Sequence, residues 1–157
     1  MITIHTDGAA SGNPGPGGYG VVLRFGEHYK ELSEGYQLTT NNRMELSAAI
    51  AGLEALKNDG QMVTIYTDSK YVMDPVTQGW LWGWIKKDFK GKKNKDLWLR
   101  FVKAYKKHQV NFIWVKGHAG NIDNERCDVL AVEASKKSNL LIDEGYINSK
   151  DDVDSLF

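Results

Sequence analysis

The chain has 157 residues, 41% of them hydrophobic and 25% charged, with 20 Lys+Arg balancing 20 Asp+Glu. A length near 150 suits one globular domain that buries roughly 70% of the surface its unfolded chain exposes, so no disulfide or structural metal is needed to hold it. No run of about 18 apolar residues occurs, and Met1-Ile2-Thr3-Ile4-His5 lacks the basic and apolar regions of a secretion signal, so no membrane partner and a cytoplasmic location are expected.

The opening Ile2-Thr3-Ile4-His5-Thr6 alternates apolar and polar residues with β-branching, which predicts a strand running into Asp7-Gly8. Six of the thirteen residues from Gly8 to Gly20 are glycine, with Pro14 and Pro16, so a turn-rich connection is expected before a strand over about Tyr19–Phe25. A third strand, about Tyr29–Tyr36, should pair back on it as an antiparallel hairpin. From Asn42 to Lys57 the period becomes helical, with Leu46, Ala49, Ile50, Leu53 and Leu56 on one face and Asn41-Asn42 as candidate caps. Met62–Tyr66 reads as a buried strand ending at Thr67-Asp68-Ser69, and Lys70–Val76 as a short helix; strand, helix, strand in that order implies a parallel crossover.

Gly79–Lys107 carries four tryptophans and reads as two helices joined by a turn at Lys90–Asn94. Within it, Lys86 to Lys107 holds ten cations against Asp88 and Asp96, so zero net charge hides a segment of +8 and a remainder of −8, the footprint of a polyanion-binding surface. Trp80 and Trp98 are expected to pack these helices together. Asn111–Val115 is the last strand, Gly117–Asn124 a loop and Glu125–Lys137 a helix. Cys127 is the single cysteine and reads as a small core residue. Residues 147–157 are acidic and lack a periodic apolar face, so they are expected to form a disordered tail beyond a domain of residues 1–146. The expected fold class is α/β, a mixed five-stranded sheet with helices on both faces.

Gly15-Pro16-Gly17-Gly18-Tyr19-Gly20 satisfies G-x-G-x-x-G, but its glycines lead into a strand rather than open a helix, which excludes the dinucleotide-binding reading. The acids are more informative. Asp7 follows the first strand, Asp68 the fourth, and Glu45 lies in the first turn of a helix, while Asp128 comes from the last helix. If the first and fourth strands are parallel neighbours, Asp7 and Asp68 face each other with Glu45 between them. Carboxylates that close repel unless a cation neutralises them, and an all-oxygen site suits Mg²⁺ or Mn²⁺. Capping and turn formation are the competing explanation for each acid taken singly.

The local sequences around these acids are Thr6-Asp7-Gly8-Ala9-Ala10-Ser11-Gly12-Asn13-Pro14-Gly15-Pro16-Gly17-Gly18-Tyr19-Gly20, Thr39-Thr40-Asn41-Asn42-Arg43-Met44-Glu45, Thr67-Asp68-Ser69-Lys70-Tyr71-Val72, and Trp114-Val115-Lys116-Gly117-His118-Ala119-Gly120 through Asp128. Together, over about residues 1–146, they resemble bacterial type 1 ribonuclease H. The resemblance implies an endonuclease that cuts the RNA strand of RNA/DNA hybrids by two-metal phosphodiester hydrolysis, leaving 5′-phosphate and 3′-hydroxyl ends. Asp7, Glu45, Asp68 and Asp128 match the carboxylates that hold two Mg²⁺ ions with substrate, Mn²⁺ being a possible substitute, and His118 matches a mobile-loop histidine that shuttles protons or aids product release. Gly8, Asn13 and Asn41 match residues that test the ribose 2′-hydroxyl, Thr40, Asn42 and Trp84 those that hold the DNA strand, and Lys86 and Lys87 begin a basic protrusion that grips the hybrid. One departure from the family pattern is Lys70, where glutamine is common.

A monomer is expected, with protein docking through Asp151–Phe157 as a further possibility. The alternatives are a superfamily relative, such as a transposase, Holliday-junction resolvase or reverse-transcriptase domain, and a catalytically silent nucleic-acid-binding module. Length argues against the transposase and polymerase contexts, and four intact acids argue against the silent module.

Overall fold

The computed structural model describes residues 1–118, with His118 as backbone only, and 120–149. Strands β1 (Ile2–Ala10), β2 (Gly15–Phe25) and β3 (His28–Thr39) form an antiparallel ribbon, while β1 pairs in parallel with β4 (Met62–Thr67) and β4 with β5 (Gln109–Trp114). The sheet order is β3-β2-β1-β4-β5. The helices are α1 (Asn41–Glu54), α2 (Lys70–Thr77), α3 (Trp80–Lys86), α4 (Lys95–Tyr105) and α5 (Ile122–Ser135). This is the mixed five-stranded α/β arrangement expected, and none of the described helices is long and apolar enough to cross a membrane.

Adjacent residues of β2 show that helices cover both faces, because neighbours on a strand point to opposite sides. Val21 joins the main core with Ile4, Ile65 and the α1 residues Leu46, Ile50 and Leu53, whereas Val22 packs with Cys127 and Leu130 of α5. The expected apolar stripe of α1 is thus the floor of the main core, which continues into Trp98 and Phe101 of α4. Trp98 is fully buried, as expected, and its indole N–H donates to the Tyr71 hydroxyl at 3.1 Å. Trp80 is not packed: Leu81 takes the inward position of α3, and Trp80 is left 51% exposed.

The glycine-rich segment differs most from expectation. It is strand on both sides of a short connection at 11–14, with Asp7, Ala9 and Ala10 paired to Gly20, Gly18 and Gly17. Gly12, at φ 79°, serves the turn, whereas the glycines within β2 serve packing. A Cβ on Gly18 would lie 2.5 Å from the Ala131 carbonyl oxygen, and one on Gly20 would lie 2.3 Å from that of Cys127. Helix α5 therefore rests its backbone directly on β2, which no side chain at those positions would permit.

Smaller differences have local causes. Thr40, not Asn41 or Asn42, caps α1, its hydroxyl oxygen accepting from the Arg43 N–H at 3.2 Å, and α1 ends at Glu54 rather than Lys57. Helix α5 begins three residues before the expected Glu125 because Asn121 caps it. Residues 144–149 are helical, so residues 147–149 of the expected tail continue a helix; the remaining tail, 150–157, lies outside the described residues.

Candidate active site

Register brings the first two acids together. His5 pairs with Tyr66 at the end of the parallel β1–β4 ladder, so Asp7 and Asp68, each two residues further on, arrive level with one another. Asp7 lies inside β1 rather than after it, since its far edge still pairs with Gly20 of β2. Glu45 is the fifth residue of α1, in the second turn rather than the first, and Gly8 explains how it reaches Asp7. A Cβ on Gly8 would lie 2.4 Å from the Glu45 backbone nitrogen, so only glycine lets β1 pass beneath that turn. One carboxylate oxygen from each of Asp7, Glu45 and Asp68 falls within 4.8 Å of the other two.

Burial makes this cluster costly without a counter-charge. Asp7 is 4% and Glu45 7% exposed. Desolvation first, then the charges of Asp7 and Asp68, push the Glu45 carboxyl well above the usual carboxylate range. Its buried Oε1 has no hydrogen-bond partner among the described residues. Three converging carboxylates fit a hard divalent cation with oxygen ligands, and the absence of any sulfur or imidazole from the trio disfavours a zinc-type site.

The other expected site residues fall into three groups. Asp128 lies on α5 one helical turn beyond Asn124; it is exposed and outside the close trio. The His118 backbone belongs to a single 3-10 turn after β5, and its side chain lies outside the described residues. Asn13, Thr40, Asn41 and Asn42 gather at the start of α1, where the Asn41 N–H donates to Asn13 Oδ1 at 3.1 Å. Gly8 is buried beneath them.

Across α1, Trp84 sits edge-on against Trp98 with Lys92 over its ring at 4.9 Å, and Lys86 and Lys87 are exposed beside it. Not every cation of the basic segment is available: Lys95 pairs with Asp88 at 2.7 Å and Arg100 with Glu54 at 2.6 Å.

Two residues that position the site were not singled out from sequence. Arg43, 2% exposed, makes paired hydrogen bonds to Asp96 (2.7 and 2.8 Å) and to Asp143 (2.8 and 2.9 Å), tying the start of α1 to α4 and to the C-terminal segment. Burial alone would lower the guanidinium pKa, but these carboxylates raise it above its ordinary value. Asn124, fully buried, accepts from His5 Nδ1 at 2.7 Å and donates to the Thr6 and Tyr66 carbonyls, stapling α5 to β1 and β4 where Asp7 and Asp68 emerge. A buried Arg two residues from a candidate ligand was a readable signal. An Asn at a helix start was not, because caps share it.

The family model described as RNase H matches residues 1–136. The chain belongs to the RNase H family. A ribonuclease H from Trichodesmium erythraeum is 55% identical over 150 residues, covering 92% of this chain and 95% of the relative. Among solved structures, LC9-RNase H1, a type 1 RNase H with the type 2 active-site motif, is 32% identical with a TM-score of 0.77 over 94% of this chain and 79% of its own. LC11-RNase H1, solved in complex with RNA/DNA hybrid, is 27% identical with a TM-score of 0.69 over 88% of this chain and 99% of its own. The enzyme is therefore a ribonuclease H, a hydrolase of a divalent-metal-dependent family, and its acidic trio is compatible with metal binding.

Proposed function

We propose that this RNase H cuts the RNA strand of RNA/DNA hybrids by two-metal-ion hydrolysis, leaving 5′-phosphate and 3′-hydroxyl ends. The observation that carries the reading is the close trio Asp7, Glu45 and Asp68, the first two buried, with a Glu45 oxygen that has no hydrogen-bond partner among the described residues. Asp7, Glu45, Asp68 and Asp128 are assigned as the residues that hold Mg²⁺, or Mn²⁺ in its place. Bound there, divalent ions supply a water nucleophile for in-line attack at the scissile phosphate and charge stabilisation for the leaving 3′ oxygen.

The chain's own groups orient the substrate. The Thr40 hydroxyl oxygen is engaged as a cap, which leaves its hydrogen to donate to a phosphate oxygen, and Asn13 keeps its amide N–H donors while its oxygen holds Asn41. Asn13 and Asn41, with the backbone around Gly8, face the ribose 2′-hydroxyl that separates RNA from DNA. Thr40, Asn42 and Trp84 take the DNA strand, and the exposed Lys86 and Lys87 grip its phosphates without reading sequence. His118 is assigned to move a proton or release product. The catalytic unit is assigned to residues 1–146, working as a cytoplasmic monomer, with protein docking assigned to the acidic segment Asp151–Phe157.

The test is cleavage of an RNA/DNA hybrid with Mg²⁺ beside double-stranded RNA, double-stranded DNA and single strands. Selective, metal-dependent cutting of the RNA in the hybrid is expected, and Asp7→Asn should abolish turnover while hybrid binding persists. Equal cutting of duplex DNA, or an active Asp7→Asn, would overturn the assignment.

A further inference from the structure

One cation beside the carboxylates is unexplained by the assignments above. Lys70 is the first residue of α2, just past the cap Ser69 and two residues from Asp68. A positive side chain at a helix N-terminus works against the helix dipole. Among the described residues no carboxylate pairs with Lys70. Its ammonium instead stands over the Trp114 indole, 4.1 Å from the ring centre. Trp114 ends the edge strand β5, pairs with Thr67 in the parallel register, and is 42% exposed. The sheet order β1-β4-β5 therefore sets Asp7, Asp68 and this braced lysine in a row, with Lys70 and Trp114 on the side away from the glycine-rich strands.

Such a row has a direct electrostatic use. A phosphodiester backbone approaching three carboxylates is repelled, and a cation at the rim offsets that repulsion and adds a point-charge contact. The indole holds the lysine stem in place, which reduces the ordering cost of using it. Resting on the hybrid-cleaving reading above, we infer that Lys70, braced by Trp114, binds a backbone phosphate of the substrate on the β5 side of the scissile bond. This contact is separate from those of the lysine-rich segment.

The test is equilibrium binding of a fluorescently labelled RNA/DNA hybrid in EDTA across a salt series, followed by steady-state cleavage with Mg²⁺. Lys70→Gln should weaken binding about 3- to 10-fold and flatten the slope of log Kd against log salt by about 0.9. KM should rise in step while kcat stays within about twofold. Lys70→Arg should restore both, and Trp114→Ala should show a smaller loss of the same kind. Lys30→Gln, on the outer strand β3, is the control and should leave the slope unchanged. A wild-type slope in Lys70→Gln, or a fall in kcat with Kd untouched, would overturn the subsite. A wild-type protein that neither binds nor cuts the hybrid would instead defeat the proposed function itself, so the two failures are distinguishable.

Discussion

The two faces of the sheet are built in different ways. On the α1 side a thick layer of large apolar side chains, from Leu46 and Ile50 to Trp98 and Phe101, separates helix from sheet. On the α5 side the buried cluster among the described residues is Val22, Cys127 and Leu130, and the helix backbone lies against Gly18 and Gly20. The α5 face makes up for its thin core with polar ties at its margins: Arg24 to Asp123 at 2.7 Å, Arg126 to Glu31 at 2.6 Å, and Asn124 to three β1 and β4 groups. The candidate site draws on both constructions, with Glu45 on the thick side and the proposed ligand Asp128 on the thin one. Stability and geometry are thereby divided. The thick face supplies most of the hydrophobic free energy, and the thin face fixes where α5 sits.

The largest expected loss of stability is on the thick face. Leu46→Ala removes a fully buried side chain from the centre of the layer and should cost about 2–5 kcal/mol in chemical denaturation, with kcat little changed in what remains folded. Gly20→Ala should cost less, about 1–3 kcal/mol, because it overpacks rather than empties. Its new methyl has no room against the Cys127 carbonyl, so α5 must move, and turnover should fall more than stability. A Gly20→Ala variant with full activity would show that α5 placement is not critical to the site.

Glu45 tests the seam between the faces. Its folded-state pKa is raised, so its contribution to stability is present below the unfolded value, near 4.5, and is lost as pH rises through the folded one. In EDTA, Glu45→Gln should therefore match wild type near pH 4 and melt higher near pH 8. Mg²⁺ should narrow that gap by raising the wild-type Tm. An unchanged gap on adding Mg²⁺ would remove Glu45 from the ligand set.

The smallest effect belongs to the margin of the thin face. Glu31 is held at about 2, first by the hydrogen bond from Arg126 and then by that from Tyr29. A lowered carboxylate stabilises above its unfolded value and loses that contribution as pH falls toward 2. The Tm difference between wild type and Arg126→Gln should be small at neutral pH and should shrink across that window. A difference that holds constant to pH 2 would mean Arg126 acts by packing rather than charge.

Much of this division was legible in the sequence, and the remainder failed for identifiable reasons. The Leu46, Ala49, Ile50 and Leu53 spacing marks the thick face because helical period and burial coincide there. Asp7 and Asp68 were legible as neighbours because two strands joined by a helical crossover are parallel, and equal offsets from the ladder then bring the acids level. For the glycines of residues 15–20 the sequence left a tight turn and a close backbone approach both open, since a missing side chain serves either equally well, and the structure shows the close approach. Thr40 could not be told from Asn41 and Asn42 as the cap, all three being good cap formers. The Lys70–Trp114 contact depends on the β4–β5 register, which no local pattern encodes.

The tie between Arg43 and Asp143 spans 100 positions of chain. At a synthesis rate of about 5–20 residues per second, Arg43 leaves the ribosome's catalytic centre roughly 5–20 s before its second acid is made. By then Asp7, Glu45, Asp68 and Asp128 have all been translated. Of the partners that hold the Arg43 guanidinium, Asn94 and Asp96 are thus made first, and the Asp143 carboxylate that completes the set is made last.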